Sequence, residues 1–485
     1  MKFKHYRLSI LLSLLLLTIT SPANELENIT LPDMGDSSGT LISPAEEQEL
    51  GKAFFRSLHS QLEINQDVDI QLYIQTIGQR LVLNSDLPRG EFHFFVVLDH
   101  QINAFAGPGG YIGINSGLIL MSESESELAS VMAHEIAHVT QRHLYRAFEA
   151  ASLMSLPTAA ATLAAILIGT QSPAMGLAAL TAIQAGSVQQ QINFTRSNEQ
   201  EADRVGMKTL VNSQYDPRSM PLFFERLQQS SRYYGQNIPE FLRTHPVTVS
   251  RISDTRGRAE KYPYRHYPNS YDYSLTKAKL RVITAKNFED VLNFFKIREK
   301  QGTQQQRAIA SYGVGLIYLE RKQFAQAAIT FQQLTARFPR QRQYVTALAR
   351  TKIEQRHYTQ ALKLYRQALQ DFPSNAAIKV EYVQILLKVG KPEQARKVLM
   401  SLTPQQKQHA LYYKLLAQTH GVLNHQAESH RYMAEYLYAM GNTKQAMRQL
   451  RLARKSPDIN FYISAILEDR MRFFSEEETL RKQGK

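Results

Sequence analysis

Alanine recurs at intervals of 34 residues in the C-terminal part of this 485-residue chain, at Ala327, Ala361 and Ala395, and other positions keep step with it. Gly315, Tyr318, Phe331 and Pro339 surround the first alanine, and Tyr365 and Pro373 stand 34 residues beyond Phe331 and Pro339. A period of that length is one antiparallel helix pair that buries its apolar face only by stacking on a neighbour. The small alanines let paired helices approach closely and the aromatics fill the space between units, so these positions are core and not ligand contacts. The period then slips, with Ala427 and Ala446 marking less regular hairpins, so four or five units are expected over 305–485. Any chemistry must come from the residues before this stack.

The 57 Lys and Arg outnumber the 43 Asp and Glu, but unevenly: residues 301–485 hold 29 basic and 13 acidic side chains, the first 300 hold 28 and 30. A basic repeat domain suits nucleic acid, anionic lipid or acidic protein surfaces, and charge does not choose among them. Cysteine is absent, which excludes disulfide frameworks, thiolate nucleophiles, cysteine-ligated zinc and iron–sulfur clusters; a metal must sit on His, Asp or Glu. Residues 1–23 read as a signal peptide: Lys2, Lys4 and Arg7 precede the apolar run Leu8 to Ile19, and small Ser21 and Ala23 prepare cleavage before Asn24. A dozen apolar residues fall short of the roughly 20 that span a bilayer. Without a cysteine at the cleavage point, a lipid anchor is excluded. The mature chain, opening with a flexible segment over 24–42, is expected in the periplasm, which weakens the nucleic-acid reading.

Ser43-Pro44-Ala45-Glu46 combines an N-cap, a first-turn proline and an N3 glutamate ahead of a helix to about Gln61, and a second helix covers Ile70 to Leu83. Phe92 to Leu98, Asn103 to Ala106 and Tyr111 to Ile114, the last two joined by Gly107-Pro108-Gly109-Gly110, read as a small antiparallel sheet. Ser124 and Glu127 form a capping box for a helix expected to run past Arg142. Residues 152–190 are apolar but broken by Pro157, Gly169, Pro173 and Gly176; the longest uninterrupted run, Thr158 to Ile168, is too short for a span and suggests a flap or hairpin. Residues 271–304 read as a helical connector.

His134-Glu135-Ile136-Ala137-His138 lies within the helix opened at Ser124. Residues four apart on a helix differ by about 40° around the axis, so both imidazoles can hold one zinc ion, with Glu135 near enough to take a proton from its bound water. A catalytic zinc needs a third protein ligand. His143 comes one residue too early for a ligand continuing the same helix and is expected in solvent beside Arg142. Ser197 to Asp203 meets the need: Ser197 and Gln200 cap a helix, Glu199 in its first turn becomes the third ligand, and Asp203 on the same face accepts from a ligating imidazole. Glu201 points roughly 200° away from that face and is expected in solvent.

In these motifs, in Asn103-Ala104-Phe105-Ala106 with Pro108-Gly109-Gly110, and in Thr244-His245-Pro246 with Arg251, the chain resembles the M48 family of zinc metallopeptidases, specifically exported members with a C-terminal tetratricopeptide domain. The resemblance implies one Zn2+ per chain on His134, His138 and Glu199, with Glu135 as general base. It also implies partners: the outer-membrane β-barrel assembly machinery and unfolded or misassembled outer-membrane proteins, with peripheral membrane contact open and no nucleic acid. Asn103 to Ala106 would be an edge strand that accepts extended substrate through backbone pairing. His245 either steadies the tetrahedral intermediate or occupies the open metal position until a loop moves, and Arg251 pairs with a nearby carboxylate or with substrate.

The expected architecture is α+β: a gluzincin-like metalloprotease domain over 43–270 with a small antiparallel sheet, then an all-α tetratricopeptide-repeat domain. The expected activity is zinc-dependent endoproteolysis in the periplasm. Two rivals keep the same sequence features, a chaperone-like assembly factor with occasional proteolysis and a zinc-free scaffold whose histidines are merely buried.

Overall fold

A computed structural model describes residues 43–148, 196–233, 239–403, 407 and 410–483. The expected signal peptide over 1–23, the segment 24–42 and the apolar stretch 152–190 lie outside the described residues.

The N-terminal body begins at helix α1 (Pro44–His59), where the Ser43 hydroxyl accepts from the Glu46 N–H and the Glu46 carboxylate accepts from the Ser43 N–H. Helix α2 (Val68–Val82) is capped by Asp67. Strands β1 (His93–Val97), β2 (Ala104–Ala106) and β3 (Tyr111–Asn115) form a sheet of order β1-β3-β2.

The sheet is mixed and not wholly antiparallel. The turn through Gly109 (φ 66°) and Gly110 (φ 74°), a left-handed backbone that glycine adopts without steric cost, folds β2 back on β3 with Phe105 opposite Gly113. That hairpin occupies one edge of β3, so β1 takes the other in parallel register, His93 beside Tyr111. The outer edge of β1 is in turn closed by residues 63–65, where the Asn65 N–H donates to the Val96 carbonyl at 2.8 Å. Among the described residues no strand pairs with the outer edge of β2, although the Phe241 N–H donates to the Ile102 carbonyl just before it, at 3.1 Å.

After the short α3 (Ser116–Met121) comes the central helix α4 (Glu125–Thr140). Ser124 accepts from the Glu127 N–H, but the Glu127 carboxylate reaches back to the N–H of Glu123 and not to the cap itself. Leu128, Val131, Met132 and Ile136 sit in the main core, as their spacing on one stripe requires. The helix stops at Thr140, earlier than expected: Arg142 takes a left-handed φ of 54°, and the separate helix α5 (His143–Phe148) follows. Helices α6 (Arg196–Asn212), α7 (Ser219–Tyr233), α8 (Glu240–Thr244) and α9 (Val249–Ala259) complete the body.

The connector is itself a helix pair, α10 (Tyr271–Ile283) and α11 (Phe288–Glu299). Five further pairs follow among the described residues: α12 (Gln304–Glu320) with α13 (Phe324–Arg337), α14 (Arg342–Glu354) with α15 (Tyr358–Asp371), α16 (Ala376–Lys388) with α17 (Pro392–Met400), α18 (Ala410–Val422) with α19 (Gln426–Ala439), and α20 (Thr443–Arg454) with α21 (Phe461–Gln483). The periodic Ala327, Ala361 and Ala395, and the later Ala427 and Ala446, are fully buried, with Phe331 and Tyr365 buried beside them.

The stack is docked on the body through charge. Asp69 of α2 meets Lys279 of α10 at 3.2 Å, Arg350 of α14 at 3.4 Å and Arg342 of α14; Arg350 also pairs with Glu381 of α16. At the other end of the array, Arg56 of α1 meets Glu477 of α21 at 3.0 Å.

Candidate metal centre

Two helices, α4 and α6, form the floor of the site, and one glycine sets their separation. A Cβ on Gly206 of α6 would stand 3.0 Å from the Ala133 carbonyl oxygen and 3.1 Å from the Cα of His134. Any side chain there would crowd the backbone of α4 where the two helices cross beside the histidine pair. Glu199 lies in the first turn of α6 and Asp203 one turn on. Ser197 falls inside the helix and not at its cap, because α6 already includes Arg196.

The functional atoms converge. The Nε2 atoms of His134 and His138 are 3.0 Å apart; Glu199 Oε1 lies 3.4 Å from His138 Nε2, and Glu199 Oε2 lies 3.6 Å from His134 Nε2. His245, at the C-terminal end of α8, brings its Nδ1 to 2.9 Å from Glu199 Oε1 and 3.5 Å from His134 Nε2. One ligand atom from each of the four residues lies within 4.8 Å of the other three, and each residue is at most 2 % exposed. Four buried donors aimed at one point either share protons or ligate one cation, and three imidazole nitrogens with a carboxylate oxygen are a ligand set that a cation satisfies fully. The residues present therefore fit a metal.

An outer ring of contacts orients them. Asp203 Oδ1 stands 3.0 Å from His134 Nδ1. Arg251 of α9 clamps Asp203 with Nε at 2.7 Å and Nη2 at 2.8 Å, while its Nη1 lies 2.6 Å from Glu199 Oε2 and donates to the Pro246 carbonyl at 3.0 Å. The fork of Arg251 thus faces two carboxylates, the first of the two roles open for it in the sequence. Glu135, on the same helix as the histidines, brings Oε1 to 3.6 Å from His245 Nε2.

Burial and partner charge compete at each carboxylate. Burial wins at Glu135, pushing its carboxyl above the ordinary value, only partly opposed by His245 and His134. For Glu199 burial acts the same way but loses to His245, His134 and His138, which hold this carboxyl well below the usual range. Asp203 is likewise held low, by His134 and Arg251 against burial.

His143 and Glu201 are corrections. His143 is fully buried, with its Nδ1 2.9 Å from His138 Nδ1 and its Nε2 3.1 Å from Glu201 Oε2. The left-handed turn at Arg142 rolls the ring under α4, a direction that a continuing helix would not give, and Glu201 is drawn to it. The spacing of five from His138 held no signal without that turn. Asn103, Ala104 and Phe105 are buried and Ala106 partly so, on the strand packed beside α4.

Residues 70–259 match the model of peptidase family M48, and residues 298–340 and 352–419 match models of the tetratricopeptide repeat. The chain is 35% identical over 421 residues to the beta-barrel assembly-enhancing protease of Escherichia coli (strain K12), covering 87% of this chain and 86% of that one. It is 36% identical over 421 residues to the putative beta-barrel assembly-enhancing protease of Vibrio cholerae, covering 87% of each chain. A mitochondrial metalloendopeptidase, OMA1 of Schizosaccharomyces pombe, is 27% identical over 181 residues, 37% of this chain and 50% of its own.

Proposed function

Because the chain belongs to peptidase family M48, a family of metallopeptidases, we propose that it is a zinc-dependent endopeptidase of the periplasm that degrades misassembled outer-membrane proteins and assists β-barrel assembly through its repeats. The observation that carries this reading is the buried convergence of His134, His138, Glu199 and His245 within 4.8 Å. A nitrogen-rich donor set of this size favours zinc over calcium or magnesium, which prefer oxygen ligands. One ion per chain would be held by His134 Nε2, His138 Nε2 and Glu199. When bound, zinc polarises water and the scissile carbonyl.

The chain's own residues supply the rest. Glu135 accepts the proton of the attacking water and returns it to the departing amine; a carboxyl raised by burial is better matched to that exchange than an exposed one. Asp203 holds His134 in the tautomer that leaves Nε2 free to ligate, and Arg251 fixes both Asp203 and Glu199. His245 Nδ1 stands among the ligand atoms, so it would fill the fourth position and keep the enzyme closed until the segment after α8 moves. The edge of β2 turned away from β3, beside α4, is where an extended chain would add as a strand. The names of its relatives, beta-barrel assembly-enhancing proteases, support the assembly role, and the basic repeats would provide the docking surface.

The test uses purified chain. Native protein should carry zinc and His134→Ala should not. Glu135→Gln should keep the metal yet lose 10²–10⁴-fold in cleavage of an unfolded β-barrel substrate, the range general acid–base catalysis supplies. Absence of metal from the native chain would sink the reading. Full rescue of envelope integrity in cells by Glu135→Gln would instead favour the chaperone-like alternative.

A further inference from the structure

The two helical histidines are held differently. His134 meets a carboxylate of α6 directly, Asp203 at 3.0 Å. His138 meets a second imidazole, His143 Nδ1 at 2.9 Å from its Nδ1, and that imidazole meets Glu201 of α6 at 3.1 Å. Glu201 and Asp203 are two residues apart, about 200° around the helix, so both cannot face the ligand cluster. His143, fully buried in the gap, spans the distance for the one that turns away.

We propose that His143 and Glu201 are positioning residues that fix the tautomer and ring angle of His138 through a Glu201–His143–His138 relay. The inference rests on the reading of His138 as a ligand through Nε2. A neutral ring that ligates through Nε2 carries its proton on Nδ1, and that proton points at His143 Nδ1. His143 Nδ1 is then the acceptor, its own proton sits on Nε2, and Glu201 Oε2 accepts it. Each tautomer follows from the next, so one carboxylate at the edge of the body determines the lone pair offered at its centre. Partners of this kind, one bond removed from a ligand, typically contribute 10–100-fold to metal affinity.

Competition of the purified chain against a chromophoric zinc chelator tests this, with thermal unfolding of the metal-free form as control. His143→Leu, which removes both contacts but keeps an apolar filling, should weaken zinc binding 10–100-fold. His143→Asn, whose side-chain oxygen can stand near the position of Nδ1 and accept from His138, should recover most of that loss. Glu201→Ala, at a partly exposed position that need not disturb folding, should weaken binding several-fold. Unchanged affinity in His143→Leu or Glu201→Ala would overturn the proposal, as would equal losses in the Leu and Asn variants tracking lost thermal stability. A native chain that binds no zinc, or a His138→Ala variant that binds it as tightly, would overturn the metal-site reading instead.

Discussion

At the scale of single residues, the site is a contest between burial and partner charge, and the winner differs for each carboxylate. Glu199 and Asp203 face imidazoles and a guanidinium and stay ionised; Glu135 faces less positive charge and is pushed up. His245 is the residue whose removal should be most informative. With its ring gone, the fourth position opens while His134, His138 and Glu199 remain, so His245→Ala should keep zinc and raise basal cleavage of an unfolded substrate; a fall in rate would assign it to stabilising the intermediate. On α1, burial lowers the His59 imidazole to about 4. The folded-state value lies below the unfolded one, so the unfolded chain binds more protons across the window, and stability present above pH 6.5 is lost as pH falls towards about 4. The slope contributed there is at most about 1.4 kcal/mol per pH unit, and His59→Gln should flatten melting temperature against pH in that range.

At the scale of elements, the spacing of α4 and α6 governs whether two ligands and a third can meet. Gly206→Val would drive a branched side chain into the Ala133 carbonyl and the His134 backbone. We expect a destabilisation of about 1–3 kcal/mol by overpacking, together with weaker zinc binding, read by calorimetry and chelator competition. The histidine pair and the acidic helix were legible because helical periodicity alone places residues four apart on one face. The end of α4 was not. Nothing local at Gln141 or Arg142 announces a left-handed residue, and with it went the burial of His143 and the engagement of Glu201. The direction of β1 was similarly hidden, since a strand pattern specifies which residues alternate and not which neighbour pairs with it.

At the scale of the whole molecule, the repeats and the catalytic body share a buried ionic junction. Burial alone would raise the Asp69 carboxyl, but Lys279, Arg342 and Arg350 hold it well below its ordinary range. Asp69→Ala would remove the carboxylate these cations share and leave Lys279 to Asp67, Arg342 to Asp272 and Arg350 to Glu381, so a loss of about 1–3 kcal/mol is expected, read as a lowered unfolding transition. Periodic and contiguous features were readable from the residues alone: the 34-residue alanines now buried between helix pairs, the capped start of α1, and the His134 to His138 pair on one helical face. Tertiary structure alone decided what depends on chain segments meeting across space: the mixed order of the sheet, the turn that buries His143, the approach of His245 to Glu199, and the salt links from Asp69 to the repeats. Local sequence encodes torsion preference and amphipathic phase, whereas these contacts are selected only when packing closes the core and each buried charge must find its partners there.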